Sequence, residues 1–162
     1  MNKSIYSKYV FYFFLFFSIF TLDRISKIYI LNIANNEELN IYINEFLNII
    51  LIWNTGIGFG LLSFSDNFLY NAITFLILLI NFILIYLAVA SNNIKRILYI
   101  VILGGSFGNL FDRFYYSAVP DFIDINFNGY HWFVFNVADI FISLGITCLI
   151  LLEILDYKKY NK

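Results

Sequence analysis

The sequence has few charged residues, one cysteine and one histidine. Only 13% of its 162 residues are Asp, Glu, Lys or Arg, whereas 61% are hydrophobic and 22% are aromatic. Such a chain cannot give a water-soluble domain an ordinary polar surface, so it belongs in a lipid bilayer. The single cysteine, Cys148, excludes an internal disulfide, and with the single histidine, His131, it excludes a His/Cys zinc cluster. The net charge of -1 provides no basic stripe for nucleic acid.

Four apolar stretches approach the length of about 20 residues that a helix needs to cross a bilayer. They run from Ser7 to Leu31, Phe68 to Ala90, Ile97 to Phe114 and Phe135 to Leu155. The first resembles the apolar part of a signal peptide, but no small-residue cleavage site follows it, so we interpret it as a retained helix. The sequence therefore predicts an all-α integral membrane protein, a four-transmembrane-helix bundle that forms a single domain over residues 1–162.

Most basic residues lie on one side of these helices. Seven of the ten precede helix 1, lie between helices 2 and 3, or follow helix 4: Lys3, Lys8, Lys95, Arg96, Lys158, Lys159 and Lys162. Because cytoplasmic flanks retain positive charge, both termini are expected in the cytoplasm. The other three, Arg24, Lys27 and Arg113, fall at the opposite helix ends with nine of the eleven acidic residues. These three cations need a local explanation.

The segment between helices 1 and 2 has a different pattern. Leu39 to Trp53 mixes Ile, Tyr, Phe and Leu with Asn and Glu in short runs that are typical of strands. The residues that follow, Asn54 to Gly60, include three glycines in five positions and are typical of a bent backbone. We therefore expect a small outer-side β-sheet at about residues 39–63.

Several ionisable side chains fall inside the predicted helices. There each one costs about 2.5 to 3.5 kcal/mol on insertion scales and so indicates function. Asp23 and Lys27 are four residues apart and can pair on one helix face, either as a structural ion pair or as a substrate contact. Asn109, Asp112 and Arg113 are neighbours on helix 3, which predicts one polar cluster that organises an adjacent site.

Smaller patterns on the helices predict packing. Gly104, Gly105 and Gly108 on helix 3 indicate a close approach of helix backbones, because small residues allow this in lipid. A polar stripe on helix 2, formed by Asn71, Thr74 and Asn81, is expected to supply interhelical hydrogen bonds.

Two further aspartates are the candidates for chemistry. Pro120 has no N–H and favours extended backbone before it, which places Asp121 on a non-helical stretch at the membrane's outer edge. Asp139 lies one turn into helix 4, with Asn136 on the same stripe. We interpret them as two carboxylates that converge, where one shared proton leaves the other carboxylate available as a general base. The alternative is that Asp121 only hydrogen-bonds a loop and Asp139 only caps helix 4.

Other mechanisms fit this pattern less well. His131 lies in an aromatic loop and Cys148 lies deep in helix 4, so structural roles are expected for both. A Ser106–Lys27 dyad is the better of the rejected mechanisms. A small ion or proton-coupled transporter would use the same acids, but it needs polar residues through the whole membrane depth, and the cytoplasmic half of helix 4 is mostly apolar. A non-catalytic scaffold would tolerate Asp139→Asn.

Five motifs occur in order between about residues 20 and 143. They are Asp23-x-x-x-Lys27, Asn54-Thr55-Gly56, Gly104-Gly105-Ser106-Phe107-Gly108-Asn109-x-x-Asp112-Arg113, Val119-Pro120-Asp121-Phe122 and Phe135-Asn136-Val137-Ala138-Asp139. In this order, on four predicted helices, they resemble the bacterial lipoprotein signal peptidase (type II signal peptidase) family. Each motif alone is weak evidence, whereas the five together are highly specific.

This resemblance implies a membrane aspartic endopeptidase. Such an enzyme removes the signal peptide from diacylglyceryl-modified prolipoproteins and cuts before the lipidated cysteine. The catalytic pair implied by the family pattern is Asp121 and Asp139. The residues expected to bind substrate or to support the site are Asp23, Lys27, Asn54, Gly56, Asn109, Asp112, Arg113, Asn136 and Ala138.

The resemblance also implies a setting and partners. The expected location is the bacterial cytoplasmic membrane, with the active site at its outer face. The expected partners are prolipoproteins, membrane lipid and the cyclic peptide antibiotic globomycin. No metal or cofactor is expected, and a monomer suffices. Ser106, Ser117 and Pro120 depart from the family's usual residues, and none of the three departures removes a reacting group.

Overall fold

The computed structural model describes residues 3–35, 39–56, 67–127 and 130–160. Within these residues, four long helices and four strands follow one another. They are α1 (Lys3–Ala34), β1 (Asn40–Asn44), β2 (Leu47–Asn54), α2 (Asn67–Ala90), α3 (Asn93–Tyr116), β3 (Val119–Phe127), β4 (Tyr130–Phe135) and α4 (Val137–Tyr160).

Three of these helices are long and apolar enough to cross a membrane. The spans are Phe68–Ala90, Asn93–Tyr116 and Val137–Lys159. Large apolar side chains on their outer faces, such as Phe75, Phe82 and Leu144, are more than half exposed, as lipid-facing side chains are. The chain is thus a mostly helical membrane protein, and the predicted helical class is confirmed at that level.

The helix α3 lies at the centre and packs against α1, α2 and α4. Its glycines allow this close packing. A Cβ atom on Gly105 would lie 2.6 Å from the carbonyl oxygen of Ala138 on α4, and one on Gly104 would lie 2.9 Å from Ile19 on α1. The close approach predicted from these glycines is therefore present on two sides of α3.

The sheet is larger than predicted. Its strand order is β1-β2-β3-β4, with every neighbouring pair antiparallel, so the segment between α3 and α4 supplies half of it. The prediction that the sheet lies between helices 1 and 2 was incomplete, because β2 pairs with a strand about 70 residues later in the sequence. Residues 57–63 of the predicted sheet lie outside the described residues.

Pro120 lies within strand β3, opposite Trp53 of β2. The pairing of β3 with β4 begins only at Ile123. On the side away from β2, Pro120 therefore faces no described partner strand, and its missing N–H costs no hydrogen bond between strands. Just before this strand, Ser117 ends α3 in the left-handed conformation, with φ of 56°. Glycine adopts this conformation without steric cost, whereas serine adopts it at a steric cost.

Other predicted details differ from the structure. The predicted start of helix 4 was too early, because Phe135 ends β4 and Asn136 separates it from α4. The second predicted helix, Phe68 to Ala90, has the bounds of the membrane span in α2. The predicted helices 1 and 3 were shorter than α1 and α3, and α3 extends four residues before Ile97 and two after Phe114. The polar stripe on α2 was wrongly interpreted, because Thr74 and Asn81 hydrogen-bond to carbonyl oxygens four residues earlier in their own helix.

Candidate active site

The start of α4 is built around a reciprocal pair of hydrogen bonds. The backbone N–H of Asp139 donates to Oδ1 of Asn136 at 3.1 Å, and the N–H of Asn136 donates to Oδ2 of Asp139 at 3.1 Å. This arrangement is a capping box, in which the residue before a helix and the third residue of the helix satisfy each other's free N–H groups. The predicted capping role of Asp139 is therefore present, and it uses only one of the two carboxylate oxygens.

Asp121 lies on β3 and is 2% exposed. Both of its oxygens accept hydrogen bonds from amide groups, Oδ2 from Asn54 at 2.8 Å and Oδ1 from Asn136 at 2.6 Å. Asn136 therefore connects Asp121 to the start of the helix that carries Asp139. Burial, and after it the negative charge of Asp139, raise the pKa of Asp121 to about 7.

Three asparagines present donors to these carboxylates, and each is oriented by a group that can only donate. Oδ1 of Asn54 accepts the N–H of Gly56 at 2.8 Å. Oδ1 of Asn136 accepts the N–H of Asp139, as described above. Since the oxygen of each amide is occupied, its NH₂ group must face Asp121.

The third asparagine, Asn109 on α3, follows the same rule. Its Oδ1 accepts from Nζ of Lys27 at 2.7 Å, and its Nδ2 donates to Oδ1 of Asp139 at 2.8 Å. A lysine ammonium can only donate hydrogen bonds. If the Asn109 amide were reversed, its NH₂ group would face the ammonium of Lys27, and neither group could accept. Each of the four oxygens of Asp121 and Asp139 thus receives an N–H donor.

Lys27 holds together a cluster of charges between α1 and α3. Its Nζ donates to Asp23 at 2.9 Å, to Asp112 at 2.7 Å and to Asn109, which uses all three ammonium protons. Arg24 adds an ion pair to Asp112 at 2.6 Å. Lys27, Asp23 and Asp112 are fully buried. Of the two interpretations of Asp23 and Lys27, the structure therefore favours the structural ion pair.

Asp23 links this cluster to α4. Its Oδ1 accepts the backbone N–H of Ala138 at 3.0 Å, which satisfies another free donor at the start of that helix. Gly108 packs directly against the same carboxylate, and a Cβ atom there would collide with Oδ2 of Asp23. The charged cluster therefore fixes where α4 begins relative to α1 and α3.

Arg113 lies on the other side of the site and is 5% exposed. Its guanidinium donates to the carbonyl oxygen of Gly56 and lies 5.4 Å from the ring centre of Tyr70. It thereby ties the end of α3 to the backbone that follows β2. The eleven residues predicted for the site form one connected network of hydrogen bonds.

The rejected chemistries find no support here. Nδ1 of His131 lies 2.8 Å from Asp124, outside this network, and Cys148 is exposed on α4. Ser106 is buried on α3, but the three protons of Lys27 already have other acceptors. A Ser106–Lys27 dyad would have to break one of these bonds.

Sequence reasoning missed the roles of two charged residues. Arg24 completes the buried cluster by pairing with Asp112, and its only sequence signal was its position beside Asp23 at the outer end of helix 1. Asp124 is fully buried and accepts a hydrogen bond from Asn48 on β2 as well as contacting His131 on β4. No spacing in the sequence indicated that these three residues meet across neighbouring strands.

Membrane helices packed around a buried polar cluster are typical of membrane enzymes. Two solved structures of bacterial membrane enzymes share the fold. One aligns with a TM-score of 0.73 at 27% identity and covers 93% of this chain and 91% of its own. The other aligns with a TM-score of 0.68 at 26% identity and covers 87% and 90%.

The family model for signal peptidase II matches residues 15–155. The lipoprotein signal peptidase of Pelagibacter ubique is 53% identical over 142 residues, which is 86% of each chain. That of Anaplasma phagocytophilum is 35% identical over 143 residues, covering 86% of this chain and 88% of its own. The chain belongs to the signal peptidase II family and is a peptidase. The resemblance found in the five motifs is confirmed, and these matches do not favour a transporter.

Proposed function

We propose that this chain is an aspartic endopeptidase whose catalytic residues are Asp121 and Asp139. Its substrate is a diacylglyceryl-modified prolipoprotein, and cleavage occurs before the lipidated cysteine. One observation carries the proposal: two buried carboxylates, on β3 and α4, are joined through the single residue Asn136, whose side-chain NH₂ donates to Asp121 and whose backbone N–H donates to Asp139. Two neighbouring acids that share a proton provide a general acid and a general base in one site.

Because its pKa is raised to about 7, we assign the shared proton to Asp121 and the role of the ionised partner to Asp139. Asp139 accepts a proton from a water molecule as the water oxygen attacks the scissile carbonyl carbon. Asp121 donates its proton to the carbonyl oxygen, which gives a neutral tetrahedral intermediate. When the C–N bond breaks, the proton on Asp139 passes to the leaving amine, and the intermediate's hydroxyl proton returns to Asp121.

The other site residues position this pair. Asn54, Asn109 and Asn136 hold the carboxylate oxygens with donors whose direction is fixed. Lys27 orients Asn109, and Arg113 fixes the Gly56 backbone beside Asn54. The acyl chains of the substrate stay in the lipid, and the substrate's signal-peptide helix packs against the helices.

The test is a cleavage assay on purified protein in lipid, with diacylglyceryl-modified and unmodified forms of one prolipoprotein. We expect cleavage of the modified form alone, and a loss of at least about a hundredfold in Asp121→Asn and in Asp139→Asn. Asp156→Asn is the matched control, because Asp156 is exposed at the far end of α4. If folded wild-type protein leaves every modified substrate intact, the peptidase proposal fails. If Asp121→Asn or Asp139→Asn retains activity, the catalytic assignment fails.

The membrane topology, the oligomeric state and the absence of a cofactor are part of the same proposal. All four helices, α1 included, cross the cytoplasmic membrane as a single domain, with both termini in the cytoplasm and the carboxylate pair at the outer face. The protein acts as a monomer without a metal or cofactor, so a chelator should leave the cleavage rate unchanged. Globomycin should compete with the prolipoprotein, because it is expected to bind in the same pocket.

A further inference from the structure

Two cavities meet far from the carboxylate pair, where the beginning of α1 lies beside the end of α2 and the beginning of α3. The first has a volume of about 210 Å³ and an almost entirely apolar wall that includes Ile85, Ala88 and Leu103. The second, of about 500 Å³, is lined by residues that include Lys8. Tyr12 lines both cavities, so they lie next to each other, and we refer to the two together as one groove.

The charge of this groove is positive. Arg96 lines the apolar cavity and Lys8 lines the other, and none of the described residues that line either cavity is acidic. Arg96 also donates to the carbonyl oxygens of Ala88 and Ser91 at the end of α2, and it lies 5.7 Å from the ring centre of Tyr12. These contacts hold its guanidinium beside Tyr12, the side chain that lines both cavities.

Lys95 differs from these two cations although it is adjacent to Arg96 in the sequence. Its ammonium contacts Glu153 at 2.7 Å and Asp156 at 3.2 Å on α4, so its charge is compensated. Lys8 is exposed, and no such acid faces it among the described residues. The uncompensated positive charge is therefore found in the groove.

We propose that this groove binds one anionic phospholipid, with an acyl chain in the apolar cavity and the phosphate between Lys8 and Arg96. An apolar cavity in a membrane protein with cations at its mouth matches an amphiphile that has an acyl chain and a negative headgroup. A partner helix is about 10 Å across and would not enter the apolar cavity. This lipid is separate from the prolipoprotein, because the groove contains none of the residues of the carboxylate network.

The test is native mass spectrometry of the purified full-length protein after equilibration with equal amounts of phosphatidylglycerol and phosphatidylcholine. We expect one bound phosphatidylglycerol in preference to phosphatidylcholine. Lys8→Gln should reduce that preference about fivefold, because one basic side chain contributes about this factor near a membrane surface. Lys158→Gln, which removes the same charge elsewhere, should leave the preference unchanged.

A second variant tests the acyl-chain end of the groove. Ala88→Phe fills the apolar cavity and should lower the occupancy of both lipids about tenfold. Circular dichroism would check that each variant is folded, and Arg96 is left intact because it also caps α2. Equal retention of the two lipids by the wild type would overturn the proposal, as would an equal effect of Lys8→Gln and Lys158→Gln. Unchanged lipid occupancy in folded Ala88→Phe would contradict the placement of the acyl chain.

Discussion

The asparagine side chains of the site act as donors of fixed direction. An amide has one donor and one acceptor end, and in Asn54, Asn109 and Asn136 the acceptor end is already occupied by an N–H or an ammonium group. The carboxylates therefore receive only donors from these side chains. Such preorganised dipoles stabilise negative charge on Asp121 and Asp139 although both are buried.

Replacing one donor by an acceptor of the same shape tests this arrangement. Asn54→Asp keeps the acceptor for the Gly56 N–H but turns an oxygen towards Asp121. We expect the cleavage rate to fall by about a hundredfold, as when one preorganised donor is removed from an active site. Asn44→Asp is the matched control, since Asn44 is exposed and only accepts the N–H of Phe46. Equal rates in the two variants would show that the donor at Asn54 is unimportant.

Asp121 should also determine the pH dependence. Its pKa of about 7 lies above the unfolded value of about 3.9, so its protonation stabilises the fold fully below pH 4, and this contribution is lost as the pH rises through 7. We expect kcat/KM to fall over the same range above pH 7, because the shared proton is lost. The measurement is a pH profile of cleavage, with unfolding of wild type and Asp121→Asn compared at pH 5 and pH 8. A cleavage rate that keeps rising to pH 9 would contradict this assignment.

At the scale of elements, α3 determines where α4 begins. The carbonyl oxygen of Ala138 approaches Gly105, and Asp23 holds the N–H of the same residue from α1. Because Asn136 and Asp139 flank Ala138, the position of the helix start also sets the position of the carboxylate. The packing glycine and the site are therefore mechanically connected.

Gly105→Ala tests this connection. Alanine favours a helix by about 1 kcal/mol over glycine, yet its Cβ would press on backbone that cannot rotate away. We expect a net loss of about 1–3 kcal/mol in the free energy of unfolding and a loss of activity that exceeds it. Gly145→Ala, which would collide with the Ile102 side chain, should destabilise the protein and leave the cleavage rate of the folded fraction intact. Equal activities of the two folded variants would argue against the connection.

The sequence was sufficient to predict the helices and to indicate polar residues that the structure brings together, because both leave local patterns. The apolar stretches marked the four long helices, and ionisable residues inside them marked the network. The partners of β2 and β3 could not be predicted, because the pairing of Asn54 with Val119 joins distant parts of the chain. The same limit applies to the direction of each amide, which depends on a neighbour from another element, as Asn109 depends on Lys27.

At the scale of the whole molecule, the two ends of the helix bundle carry different polar groups. The carboxylate network and the sheet lie at one end of the helices, and the groove of Lys8 and Arg96 lies at the other. The proposed orientation places the first end outside and the second in the cytoplasm.

Cysteine labelling in intact cells tests that orientation. In a Cys148→Ser background, Tyr42→Cys on the exposed strand β1 should react with a membrane-impermeant maleimide added outside. Lys159→Cys at the end of α4 should react only after the membrane is permeabilised. The opposite pattern would place the carboxylate pair in the cytoplasm and contradict the proposed orientation.

The hydrogen bonds of Asn136 have a consequence for the timing of biogenesis. The same side chain begins α4 and holds Asp121, so Asp121 gains this donor only when α4 is in place. If the carboxylate pair carries the reaction, a chain still emerging from the ribosome is inert, however complete its first three helices are. The membrane then meets an active protease only after α4 has been synthesised and inserted.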